Sequence, residues 1–167
     1  DEDLNVEKSI NELYNYVSNP DRAFYVSTSF RKIILSNSTI AASIIGVMLG
    51  EIKNQNREFN RTDIILLNAL ENISDYDIRI LYEMMDNKYT NDDIGREYID
   101  EMKFPKDKKA DFLEMLEFGD KYQIFGVFTE SIEQEKMFFG KQYYKKPVAD
   151  KLMNYIEQVK QILKYNI

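Results

Sequence analysis

Acidic side chains crowd one short stretch of the chain: Asp92 and Asp93, then Glu97, Asp100 and Glu101. Paired carboxylates can divide into a general acid and a general base, or hold a divalent cation through oxygen ligands. The same spacing also describes the solvated face of an ordinary helix, and no other motif ties these acids to a reaction. Neither Cys nor His occurs among the 167 residues. That removes thiol catalysis, disulfides and thiolate metal sites, together with the commonest general base and metal ligand. A glycine-rich phosphate loop and a nucleophile motif are also missing. Gly119 and Gly126 read as a helix stop and a strand bend. The expectation is a non-enzymatic protein with no catalytic residue, metal ligand or cofactor.

The elements that would position any site divide into two parts, with the hydrophilic run EIKNQNREFNRT, residues 51–62, as the boundary. The expected domains are a helical extension over 1–61 and a second domain over 62–167. In the first part Leu4, Ile10, Leu13, Tyr14 and Val17 share one helical face, and Asn19-Pro20-Asp21 stops that helix and starts the next. One long helix is expected from Asp21 to Lys53, apolar nearly all round at its centre. Such a helix is either the strut of a single core or shared with a partner chain. If shared, Ile33, Ile40, Ile44, Val47 and Met48 are the candidate oligomer interface, most simply of a homodimer. Its stretch IILSNSTIAASIIGVML carries five Ser, Thr or Asn side chains at about the lower length limit for a bilayer span. It reads as buried, not membrane-crossing. Gly46 and Gly50 read as tolerated small residues.

In the second part, Asp63 to Glu71 and the segment behind the Ser74-Asp75-Tyr76-Asp77 cap are expected helices. Thr90-Asn91-Asp92-Asp93 repeats that device, predicting a helix with Ile94, Tyr98, Ile99 and Met102 inward. Pro105 can begin a further helix, KDKKADFLEMLEFG, closed by Gly119. Strands are expected over about Tyr122–Val127 and Met137–Tyr143, with TESIEQEK in the polar connection. A long amphipathic helix follows from Pro147, its stripe Leu152, Tyr155, Ile156, Val159 and Leu163.

Three helices, a strand, a polar loop, a strand and a closing helix resemble the order of a winged helix-turn-helix domain over roughly residues 74–158. FLEMLEFGDKYQIF is similar to the junction between third helix and first wing strand in that superfamily. YKKPVADKLMNYI resembles its Thr-Pro-x-Gly helix start, with Lys146 in place of the Thr and Ala149 in place of the Gly. A fainter similarity, carried by RTDIILLNALENISDYDIRILYEMMD, is to bacterial proteins associated with abortive phage infection. The fold class implied is mainly α: an N-terminal helical extension plus a winged-helix-like domain with a small two-stranded β-wing.

That resemblance implies nucleic-acid contacts at the start of the third helix and about the wing, here Lys106, Lys108, Lys109, Lys136 and Lys141. Against them stand Asp107, Asp111, Glu114, Glu117 and Asp120, and Glu130, Glu133 and Glu135 in the loop. The net charge of −7 sits almost wholly in the second part, where 21 acids face 15 bases, against 8 and 7 in residues 1–61. An acidic surface repels phosphate, so DNA is disfavoured and a protein partner expected. The chain opens DEDLNVEKSI, acidic where a secretory signal is basic, so the expected location is cytoplasmic. The function expected is a regulatory or interaction protein of a bacterium or phage, with a sequence-specific DNA-binding regulator as the alternative.

Overall fold

A computed structural model describes residues 2–85, 87–93, 96–128 and 142–164. The first helix, α1, spans Glu2–Tyr16. Asn19 caps the second, α2 (Pro20–Leu35), its side chain accepting from the Asp21 and Arg22 backbone N–H groups, with Pro20 in the first turn where a missing N–H costs nothing. The long helix expected from Asp21 to Lys53 is in fact two, because the chain breaks at Ser36–Ser38 and restarts as α3 (Thr39–Asn54). Ser38 is the reason. Its Oγ accepts from the Ala41 N–H at 2.9 Å. Its hydroxyl donates to Asp75, whose Oδ1 also takes the Ile40 N–H at 3.0 Å. A turn this short folds α3 back onto α2.

Two capping boxes start the next helices, Asn60 with Asp63 at α4 (Arg61–Leu70) and Ser74 with Asp77 at α5 (Asp75–Met84). The helix expected behind Thr90 is a hairpin instead: β1 (Thr90–Asp93) pairs antiparallel with β2 (Arg96–Ile99), Asp93 opposite Arg96. Only Ile94 and Gly95 stand between the paired ends, and a glycine in a two-residue connection favours a hairpin over another helical turn. Of the residues expected inward, Ile99 is buried and Tyr98 half-buried, Met102 is exposed, and Ile94 lies outside the described residues.

Helix α6 (Lys109–Lys121) runs past Gly119. Its stop is a Schellman arrangement in which Ile124 N–H donates to the Gly119 carbonyl and Gln123 N–H to that of Asp120. Gln123 takes the left-handed conformation there, φ 61°. Gly119 serves packing instead: a Cβ at this position would lie 2.0 Å from the Phe125 ring.

Strands β3 (Phe125–Phe128) and β4 (Gln142–Lys145) pair antiparallel, and Tyr143 joins β4 to Ile99 of β2. The sheet order is β1-β2-β4-β3. The expected strand pair is therefore present but begins three residues later on its first side. Residues 129–141, which include most of the expected wing and the start of its second strand, lie outside the described residues. Gly126 is no bend but a strand residue covered by the Tyr144 ring opposite.

The closing helix α7 (Pro147–Leu163) buries the expected stripe of Leu152, Tyr155, Ile156 and Val159, with Leu163 partly buried. At the centre stands α3, which packs on α2, α4, α5 and α7. Its Ile40, Ile44, Ile45, Met48 and Ile52 share one hydrophobic core with Leu66 and Leu70 of α4, Leu81 of α5, Phe112 and Leu116 of α6 and the α7 stripe. Tyr89, Phe104 and Phe112 meet edge to face at 4.9–5.9 Å and join the segments before and after the β1–β2 hairpin to α6.

Candidate interaction surface

The expected interface residues of the long helix turn inward. Ile40, Ile44 and Met48 are buried in the chain's own core, and Ile33 and Val47 are half-buried against it. The exposed large apolar side chains lie instead on the two helices before. On α2, Val26, Ser29 and Lys32 face inward, while Phe24, Phe30, Ile34 and Leu35 point outward. Outward Phe24 sets its ring edge-on to Tyr25, which stacks on Phe59 at 4.9 Å, so an ordered aromatic row backs this face. On α1, Val6, Ile10 and Leu13 follow a 4-3 spacing continued by half-buried Val17, and all three are exposed, as is Tyr14.

The C-terminal end of α1 is tied down. Tyr16 is buried and its hydroxyl donates to the Arg57 carbonyl at 2.7 Å, while Lys53 pairs with Glu12 at 2.5 Å. Arg22 lies over the Tyr16 ring and donates from Nη1 to Asn56 Oδ1 at 2.9 Å. The lysine beside it lowers the Glu12 carboxyl, through its hydrogen bond first and its charge second. The helix is thus held at one end with its apolar stripe uncovered.

Of the lysines implied for nucleic-acid contact, Lys106 and Lys109 are exposed. Lys108 donates to Glu83 at 2.6 Å, a hydrogen bond that raises its pKa and gives it a partner within the chain. Lys136 and Lys141 lie outside the described residues. Glu114, Glu117 and Asp120 stay exposed along α6, so the two open lysines stand at the start of an acidic helix. Of the sequence's acidic stretch, the side chains of Asp100 and Glu101 are described. Asp100 is buried and accepts from Asn91 Nδ2 at 2.6 Å and from the Met102 N–H at 2.9 Å, which makes it a loop cap. Glu101 is half-buried, and the side chains of Asp92, Asp93 and Glu97 lie outside the described set. Among the described residues no three acids gather as a metal site.

One polar cluster escaped the sequence reading. Asp63 is fully buried, and the fork of Arg57 holds it through Nη1 at 2.5 Å and Nη2 at 3.1 Å, with Lys151 of α7 at 3.1 Å and the Asn60 N–H at 2.9 Å. Burial pushes this carboxyl up, but the hydrogen bonds outweigh it and hold it below the ordinary aspartate value. The Tyr155 hydroxyl, also buried, lies within electrostatic reach of Glu51 but outside hydrogen-bond geometry; burial first and that charge second drive its pKa up. The only forewarning is Asp63 at the third helical position after Asn60, which signals a cap and says nothing of Arg57 or Lys151. With two cations and two carboxylates the cluster is neutral, which suits a structural clamp and no charged ligand. A shallow cleft of about 360 Å³, lined by Ile65, Asn68, Glu71, Asn72, Lys121, Tyr122 and Gln123, is open, with polar and apolar surface in about equal measure. No helix among the described residues is long and apolar enough to cross a membrane.

No protein-family model, curated protein or solved structure matches the chain.

Proposed function

We propose that this chain is a non-catalytic protein-interaction module of a bacterial or phage regulatory system, built on a winged-helix-like C-terminal half. The observation that carries the reading is the outward apolar face of α1 and α2, where Val6, Ile10, Leu13, Tyr14, Phe24, Phe30, Ile34 and Leu35 are 38–78% exposed. Large exposed apolar surfaces mark interaction sites, because leaving them wet costs stability that only a partner returns. Support for the winged-helix part comes from α5, α6, the β3–β4 pair and α7, and from Pro147 at the start of α7. The β1–β2 hairpin, standing where that resemblance implies a helix, departs from it.

The test is photo-cross-linking in cells from a reactive side chain placed at Phe30. Discrete protein adducts that disappear with Ile34→Asp are expected. The reading fails if no protein adduct forms from any outer position. Retardation of mixed duplex DNA at low salt, weakened by Lys109→Glu, would then favour a DNA-binding regulator.

A further inference from the structure

We propose that the outer face of α1 and α2 is covered by a second copy of this chain, the α1 stripe of each protomer lying on the outward side of its partner's α2. The inference rests on the reading of that face as an interaction surface, and goes further by naming the occupant. Size is the first argument. At 38–78% exposure the eight side chains of the two helices together offer on the order of 800 Å² per chain, the share one partner contributes to a standard interface. Helix lengths agree as well: α1 and α2 have 15 and 16 residues, so each matches the other end to end across a two-fold.

Charge supplies the second argument and favours self-pairing over other surfaces. The stripe of α1 is flanked by Glu7, whereas the outward side of α2 carries Arg31 between Phe24, Ile34 and Leu35 at helical spacing. Both are exposed, and neither has an ion-pair partner among the described residues. They lie at comparable distances along the chain from the 17–19 turn, one before it and one after. A two-fold that keeps both turns at one end therefore brings Glu7 of each copy level with Arg31 of the other. One surface that is both acidic-apolar and basic-apolar complements itself, which is what an isologous interface requires.

Sedimentation velocity on the whole chain at micromolar concentrations tests this. A dimer is expected, with Ile10→Asp and Ile34→Asp each raising its dissociation constant about 30-fold or more, the loss of a buried hot spot. Both side chains are exposed within the chain, so circular dichroism should be unchanged. Glu7→Arg and Arg31→Glu should each weaken the dimer about five-fold, and the double reversal should recover it. A wild-type monomer overturns the proposal, and so does a dimer indifferent to both aspartates. Failure of the double reversal to recover the dimer overturns the crossed arrangement. In the cross-linking experiment an adduct between two copies would agree with the dimer, whereas an adduct with a different protein on a monomeric chain would uphold the reading of Proposed function alone.

Discussion

Asp63 concentrates several roles in one carboxylate. It completes the cap of α4 and receives Arg57 from the preceding loop and Lys151 from α7, so it ties three segments at one buried point. Replacing it with Asn keeps the shape but strands two cations, and a loss of about 2–4 kcal/mol in urea denaturation is expected. The pH dependence has a definite sign. The folded carboxyl titrates below its unfolded value of about 4, so the unfolded chain binds the proton more readily. This contribution is complete above about pH 5 and disappears as pH falls through the folded value. Asp63→Asn should therefore flatten the stability profile on the acid side, below about pH 5; a variant with the same acid slope as wild type would show that other carboxylates carry it. Glycines give a second contrast at this scale. Gly119→Ala drives a methyl into Phe125 and should cost about 2–3 kcal/mol. Gly46→Ala meets open space in mid-helix and should add about 0.5–1 kcal/mol. Equal and opposite shifts in urea midpoint would refute the packing argument only if Gly119→Ala were the stabilising one.

Elements with strong periodicity and a cap were legible in the sequence: Pro20, Ser74 and Pro147 each open a helix where composition signals it. The misses share a physical form, in which a short polar or glycine signal competes with a longer pattern. Apolar periodicity from Phe24 to Met48 conceals a break whose only sign is the Ser36–Thr39 cluster, and Ser38 becomes decisive only because Asp75 comes to it from 37 residues away. The Thr90–Asp93 run satisfies a helix cap on paper, yet it pairs with β2, which β4 holds in turn on its other side. For α6, Gly119 resembled a stop because glycine is frequent there, whereas the stop is Gln123 in the left-handed region. That conformation suits glycine and strains a β-branched residue. Gln123→Gly should raise stability, and Gln123→Val lower it, by about 1 kcal/mol each. Thermal unfolding of the pair decides it, and a stabilising valine would contradict the cap. As for the candidate site, Ile40, Ile44 and Met48 of the expected interface lie in the chain's own core, and the exposed large apolar side chains of this part stand on α1 and α2. Exposure depends on which face the rest of the fold covers, and α7, some hundred residues on, covers α3.

For the whole molecule, the boundary near residue 61 has consequences that composition alone could not weigh. The run 51–62 is hydrophilic, yet it crosses no gap in the core: Ile44, Met48 and Ile52 of α3 lie in the same cluster as Leu66 of α4 and Leu152, Tyr155 and Ile156 of α7. Polar ties bridge the same divide, with Lys32 paired to Glu71 and donating to Asn68 at 3.5 Å, and Asp75 capping α3. Removing residues 1–61 would therefore uncover the inner side of α7, including side chains that are fully buried in the whole chain. Each large apolar side chain left wet forfeits about 1.5–3 kcal/mol, and a handful exhausts the 5–15 kcal/mol that typically holds a domain together. The fragment 62–167 should accordingly lack a cooperative transition in urea, while the whole chain unfolds in one, with fluorescence of its tyrosines and far-ultraviolet dichroism coinciding. Mixing the fragment with a separate 1–61 peptide should restore helicity beyond the sum of the parts, because α3 supplies the surface that α7 lost. A fragment 62–167 that folds alone with a sharp transition would mean the N-terminal helices are an appendage, and the shared core a contact rather than a requirement.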